Sequence, residues 1–97
     1  MERREALILA YEGERFRFYY EDDSSTLHIQ VRHGTTTDDA IRTFIEGTTQ
    51  VWDERHKRHT TYTETHGIYW VRHAHDDSVI IISCWRLNNA EVRHHED

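Results

Sequence analysis

The chain contains no proline and only four glycines, Gly13, Gly34, Gly47 and Gly67. Glycine and proline are the strongest local punctuation a sequence has. These four positions therefore divide the chain into the pieces from which a fold must be made.

Around Gly13, the runs Glu5–Tyr11 and Arg15–Tyr20 flank Glu12-Gly13-Glu14. In the second run Arg15, Arg17 and Tyr19 alternate with Phe16, Phe18 and Tyr20. That period of two predicts a strand, and the glycine predicts a hairpin. A short helix over Glu2–Ala10 is the competing reading of the first run, because Glu, Arg, Ala and Leu favour helix. Glu21–Ser25 reads as a polar turn. Thr26–Arg32 sets Leu27, Ile29 and Val31 against His28, Gln30 and Arg32, and is expected to be a strand that Gly34 ends.

Beyond Gly34 the period changes. Thr36 or Thr37 can cap a helix by accepting a first-turn N–H. Asp38 and Asp39 suit the positive end of the helix dipole. Ala40, Ile41, Phe44 and Ile45 form one apolar stripe. The spacing predicts a helix over about 36–47 with Gly47 as a left-handed C-terminal cap. Thr48–Glu54 and Thr60–Thr65 suggest a second hairpin around the basic turn Arg55–His59. Ile68–Ala74 is a further strand, and His75-Asp76-Asp77 a tight turn. Ser78–Leu87 holds Val79-Ile-Ile-Ile82, apolar on both faces as a central strand requires. Residues 88–97 are polar, suited to a helical turn or a frayed tail. The expected architecture is a single α+β domain over 1–97. It has a mostly antiparallel sheet of about five strands and one main helix packed on one face.

Composition narrows the chemistry. The single cysteine, Cys84, rules out an intrachain disulfide and a Cys-x-x-Cys zinc pair. A reducing, cytoplasmic setting is expected. The N-terminal apolar run is too short for a signal peptide or a membrane span, so no membrane partner is expected. A net charge of −6 argues against a non-specific nucleic-acid binder. Yet of twelve basic residues only Lys57 is lysine. On an acidic, salt-adapted surface a local arginine cluster still binds phosphate.

The chain has nine histidines. His56-x-x-His59, His73-x-His75 with Asp76, and His94-His95-Glu96 supply pairs of ligands, but no metal signature with a built-in mechanism. Arg55, Lys57 and Arg58 repel a cation from the first pair. These histidines are expected to be surface residues, with no metal and no cofactor. Cys84, inside an apolar run, is expected to be inert packing.

Arginine and histidine at strand ends remain: Arg32-His33, Arg72-His73 and Arg86. If those ends meet at one rim of a sheet, Arg32, Arg72 and Arg86 grip a phosphate and His33 moves a proton. That is the chemistry of metal-free RNA cleavage. Tyr69, Trp70 or Trp85 would then stack a base. The competing reading makes all of these ordinary solvent-facing residues.

The segment Arg32-His-Gly-Thr-Thr-Thr-Asp-Asp-Ala-Ile-Arg-Thr-Phe44 resembles the opening of BrnT-type small toxins, in which a basic residue, His and Gly precede a helix bearing Ala and Phe. Ile82-Ser83, Arg86 and Glu91 resemble the closing strand of that family, and Gly67–Arg72 fits another strand of its sheet. The resemblance covers roughly residues 28–91. The chain departs from the family in having Trp85 where an arginine is expected, an extra N-terminal hairpin, and an acidic balance. The resemblance implies a RelE-like fold, ribonuclease activity that blocks translation, and a cognate antitoxin partner. Carried over, it points to Arg32, His33 and Arg86; Arg72 is added by the strand-end argument. Beside the RNA-cleaving toxin stands a second reading, a non-enzymatic protein–protein interaction module that homodimerises through an edge strand. Exposed Trp52, Trp70 or Trp85 would favour it as interface anchors.

Overall fold

The computed structural model describes residues 7–20, 27–50 and 52–87, with only the backbone of Val31 and Arg32. In chain order the elements are β1 (Leu7–Tyr11), β2 (Glu14–Phe18), α1 (His28–His33), α2 (Thr37–Glu46), β3 (Thr48–Thr49), β4 (His59–Tyr62), β5 (His66–Arg72) and β6 (Val79–Arg86). The expected turn over Glu21–Ser25, most of the alternative helix over Glu2–Ala10, the tail 88–97 and the His94-His95 pair lie outside the described residues.

The six strands form one sheet in the order β1-β2-β6-β5-β4-β3. The architecture is α+β, as expected, but the sheet is mixed. β2 and β6 run parallel, while every other neighbouring pair is antiparallel. Parallel neighbours need a crossover, and here the chain between them includes both helices. The strand with an apolar run on both faces, β6, is internal, as its composition demanded. At the first hairpin, Glu12 and Gly13 both take positive φ, 50° and 83°. A two-residue turn of this kind matches the twist of the flanking strands.

Two expectations need correction. From Leu27 onward the alternating run Thr26–Arg32 is no strand. Its described part forms the single-turn-and-a-half helix α1, with Ile29 sent into the core at 2% exposure. Both edges of β6, against which α1 packs, are already taken by β2 and β5. The segment therefore lies on the face of the sheet rather than in it. Gly34, at φ 65°, caps this helix, and its N–H donates to the Gln30 carbonyl at 3.0 Å. Gly47, by contrast, is extended rather than left-handed (φ −83°, ψ 173°). Glycine is needed there for room. A Cβ would stand 2.5 Å from the Thr43 carbonyl oxygen and 2.6 Å from that of Tyr62.

The main helix stands where the periodicity placed it. Thr36 caps it by accepting from the Asp39 N–H at 3.1 Å, and Asp39 returns the bond by accepting from the Thr36 N–H at 2.9 Å. Its apolar stripe meets the sheet in an aromatic cluster. The Phe44 ring lies 5.3 Å from Phe16 and 4.9 Å from Trp70, both edge-on. Phe16, Phe18, Ile68, Val79, Ile81 and Cys84 fill the space between sheet and helices.

One irregularity controls which residues face the helices. Tyr69 pairs with Ser83, but Trp70 pairs with Ile81. Ile82 is thus an extra residue in β6, a bulge that shifts the phase of the strand. Beyond it Cys84 and Arg86 share the helix side with Ile68 and His66. Trp85 turns to the opposite face with Gly67 and Tyr69.

Candidate functional site

At the C-terminal end of β6 three ionisable side chains converge. His66 begins β5 and is the direct cross-strand partner of Arg86. Asp39, in the first turn of α2, faces them both. The His66 Nε2 lies 3.8 Å from Asp39 Oδ1, and both side chains are largely shielded, at 17% and 22% exposure. The His66 Nδ1 is 2.8 Å from the Thr65 hydroxyl. Its Nε2 is buried and has no hydrogen-bond partner among the described residues. Burial by itself would raise the Asp39 carboxyl. Hydrogen bonds from Thr36 and the positive charges of His66 and Arg86 outweigh it and hold the group below its ordinary value. Asp39 is therefore an anion at neutral pH, oriented by the helix cap.

Beside this trio lies a cavity of about 630 Å³, whose lining includes Arg42, Glu46, Gln50, Tyr62 and His66. That volume suits a small ligand or a nucleotide. Arg86 is exposed, and no hydrogen bond or ion pair ties down its guanidinium among the described residues. An imidazole facing a carboxylate, with the Arg86 guanidinium alongside, can transfer a proton while charge accumulates on a bound oxyanion.

The strand-end residues read from the sequence fall into two groups. Arg86 is in the trio. His33 is exposed at the end of α1, and the corner it belongs to is tied to the same rim. Two residues on, the Thr35 hydroxyl donates to the Cys84 carbonyl at 3.0 Å. The Arg32 backbone shares that corner. Arg72 is elsewhere. It pairs with Val79 at the far end of the β5–β6 ladder, roughly 20 Å from His66 at about 3.3 Å per residue. There Arg72 forms a two-pronged pair with Glu14, at 2.7 and 3.0 Å. That contact lowers the Glu14 carboxyl and raises Arg72 itself. Arg72 therefore cannot join a common phosphate site with Arg86. Antiparallel neighbours put successive strand ends at opposite rims, so the expected convergence of all four residues does not occur.

The far rim is a structural lock. Asp76 Oδ1 accepts from the Ser78 N–H and hydroxyl, at 3.0 and 2.7 Å, and Oδ2 accepts from Arg17 at 2.5 Å. The Arg17 Nε also donates to the Ser78 hydroxyl at 2.7 Å. This network ties the β5–β6 turn to β2 and so secures the parallel pair. Ser78 and Arg17 hold the Asp76 carboxyl far below its usual range. His73 reaches Asp76 at 3.4 Å, but no group of three or more metal-ligating side chains converges among the described residues. Trp70 is also withdrawn from any binding role. It is 7% exposed, and its indole N–H donates to the Thr61 hydroxyl at 2.8 Å. Cys84 is fully buried, and burial pushes its thiol up to about 11.

No family model, curated protein or solved structure matches the chain. The site rests on its own geometry. His66 and Asp39 escaped the sequence reading because no local signal marks them. His66 falls between two strand-like runs, and Asp39 is fully accounted for as a helix-capping acid. Only the register of β5 on β6 brings them together.

Proposed function

We propose that the chain is a small RNA-cleaving protein of the BrnT and RelE-like kind, with its reactive centre at His66, Asp39 and Arg86. The observation that carries this reading is the His66–Asp39 pair opening beside a nucleotide-sized cavity with Arg86 across the strand. His66 takes the proton from a ribose 2′-hydroxyl at Nδ1, where the substrate hydroxyl displaces that of Thr65. The 2′ oxygen bonds to phosphorus, and the bond from phosphorus to the 5′ oxygen breaks. The 5′ oxygen leaves with a proton from water. Arg86 neutralises the charge that builds on the phosphoryl oxygens, and Asp39 steadies the imidazolium. The products carry a 2′,3′-cyclic phosphate and a 5′-hydroxyl. Incubation of the purified protein with end-labelled RNA, with product ends assigned by mass spectrometry, tests it. Cleavage by the wild type that His66→Gln slows by about 10²-fold or more is the expected result. No cleavage by a folded wild type across varied RNA sequences would sink the reading.

A separate observation favours the interaction module. Tyr11 on the edge strand β1 is 52% exposed, and Ile45 on α2 is 38% exposed. Both line a hollow of about 220 Å³. An edge strand beside exposed apolar side chains suits an added strand or helix from a partner, whether an antitoxin or a second copy. Light scattering of the purified protein and capture of partners with a Tyr11→Glu control separate this reading from the first.

A further inference from the structure

The reactive centre uses the helix side of the sheet. The opposite side carries neither helix among the described residues, and its chemistry differs from the rest of the chain. The bulge at Ile82 turns Trp85 onto it. Gly67 gives the indole its seat, since a Cβ there would lie 2.6 Å from Trp85 Cζ2 and 2.8 Å from Cε2. Two tyrosines brace it. The Tyr69 ring lies 4.5 Å away and tilted by 49°, and the Tyr62 ring 6.4 Å away and edge-on. The Arg58 guanidinium sits 3.5 Å over the Tyr69 ring. It makes no ion pair among the described residues, and its Nε has no hydrogen-bond partner.

Charge distinguishes the occupants. The strands place Arg15 and Arg17 on this side, while Glu14 shares the pairing phase of Phe16 and Phe18; Asp53, the bridge partner of Arg58, has its carboxylate engaged by His56 at 2.8 Å. Asp76 engages Arg17 from the turn, which leaves Arg58 as the uncommitted cation beside the aromatic rings. In a chain of net charge −6 this is a local reversal of sign. A second copy docked with its two-fold axis at Arg58 would set that residue against its own mate. A polyanion with flat, stackable groups meets no such repulsion.

We propose that Trp85 stacks an unpaired base of single-stranded RNA, with Arg58, seated on the Tyr69 ring, on the adjoining phosphate. The strand then passes over Tyr62, which touches Trp85 and also lines the cavity, and enters the His66 centre. The inference rests on the RNA-cleaving reading and adds to it a substrate class, unpaired RNA several nucleotides long. Such platforms tolerate any base, because every base has a π face.

The test is fluorescence anisotropy with a labelled, uncleavable 2′-O-methyl oligoadenylate of about twelve nucleotides, within the range of single-stranded site sizes. The wild type is expected to bind. Trp85→Leu and Arg58→Gln are each expected to weaken binding by about tenfold or more, the usual consequence of removing a stacking or cation–π partner. As Trp85→Leu also loosens the packing on Gly67, the wild type is in addition photocrosslinked to a 4-thiouridine oligonucleotide and the adducts mapped. Adducts on β5 and β6 at Tyr69 or Trp85 support the proposal. Failure of the wild type to bind, or unchanged affinity in Arg58→Gln with adducts elsewhere, overturns it. A wild-type dimer that Arg58→Gln tightens assigns the face to a second copy and also overturns it. Because the oligonucleotide cannot be cleaved, these results stand apart from the cleavage assay. Loss of the platform leaves the His66 centre to be judged by product analysis.

Discussion

His66 stands directly opposite Arg86 on the β5–β6 ladder, with both side chains on the helix side of the sheet. That relationship exists only because β6 carries an extra residue at Ile82. Without the bulge, Trp85 would face the helices and Arg86 the open side, since strand side chains alternate with a period of two.

The trio sets the first expectation. His66→Gln should lower RNA cleavage by about 10²- to 10⁴-fold, the usual contribution of a positioned acid–base group. Arg86→Gln should lower kcat more than it raises KM, because the charge it meets is largest in the transition state. Single-turnover rates on a labelled RNA check both. Equal loss of binding and rate in Arg86→Gln would reassign that residue to ground-state anchoring.

Arg72 should behave differently. Its partner is Glu14, and the pair is about one-third exposed on each side. Arg72→Ala should leave cleavage unchanged and cost about 1 kcal/mol of stability or less, as partly solvated ion pairs do. Urea denaturation measures the cost. A lost activity with intact folding would return Arg72 to the site.

The helix cap couples stability to pH. The folded Asp39 carboxyl is held below its unfolded value. Its contribution is therefore fully present above the unfolded value of about 3.9 and is lost as pH falls through the lower folded value. Asp39→Asn should flatten the stability profile between about pH 4 and the acid limit. Thr36→Ala removes one side of the cap and should cost about 1 kcal/mol at neutral pH. Urea midpoints from pH 2 to 7 would show both. A wild-type profile no steeper than that of Asp39→Asn would disprove the coupling.

Gly47 and Gly34 should fail for different reasons. At Gly47 a methyl group meets two backbone oxygens, which cannot swing aside. Gly47→Ala should cost roughly 1–3 kcal/mol, the range for overpacking. At Gly34 nothing lies within 4 Å, but φ is 65°. Gly34→Ala should cost about 1–2 kcal/mol from the left-handed backbone alone, while Gly34→Asn should cost less. Thermal melts of the three variants test the distinction, and equal penalties for Ala and Asn at Gly34 would contradict it.

Cys84 should be silent. Its thiol is fully buried and raised to about 11 by that burial. At pH 8 a thiol reagent should label it only as the fold opens, so the labelling rate should rise with urea. Rapid labelling of the native protein would contradict the packing seen here.

Local chemistry carried much of the architecture. The polar–apolar alternation of Arg15–Tyr20, the turn at Gly13, the apolar stripe from Ala40 to Ile45 and the double-faced run Val79–Ile82 each contain their own structural instruction, because period, cap and turn act over a few residues. The first hairpin, the main helix and the central strand were legible for that reason. Thr26–Arg32 was misleading for the same reason. Its alternation suits a strand, yet whether a sheet edge is free to accept one is settled by β2 and β5, which already flank β6. The site was divided in the same way. Arg86 and the His33 corner could be nominated as a basic residue and a histidine near element ends. The exclusion of Arg72, the entry of His66 and Asp39, and the turning of Trp85 away from the helices all depend on strand order, register and one bulge. Those are properties of long-range pairing, in which residues distant in sequence select one another only once the sheet has formed.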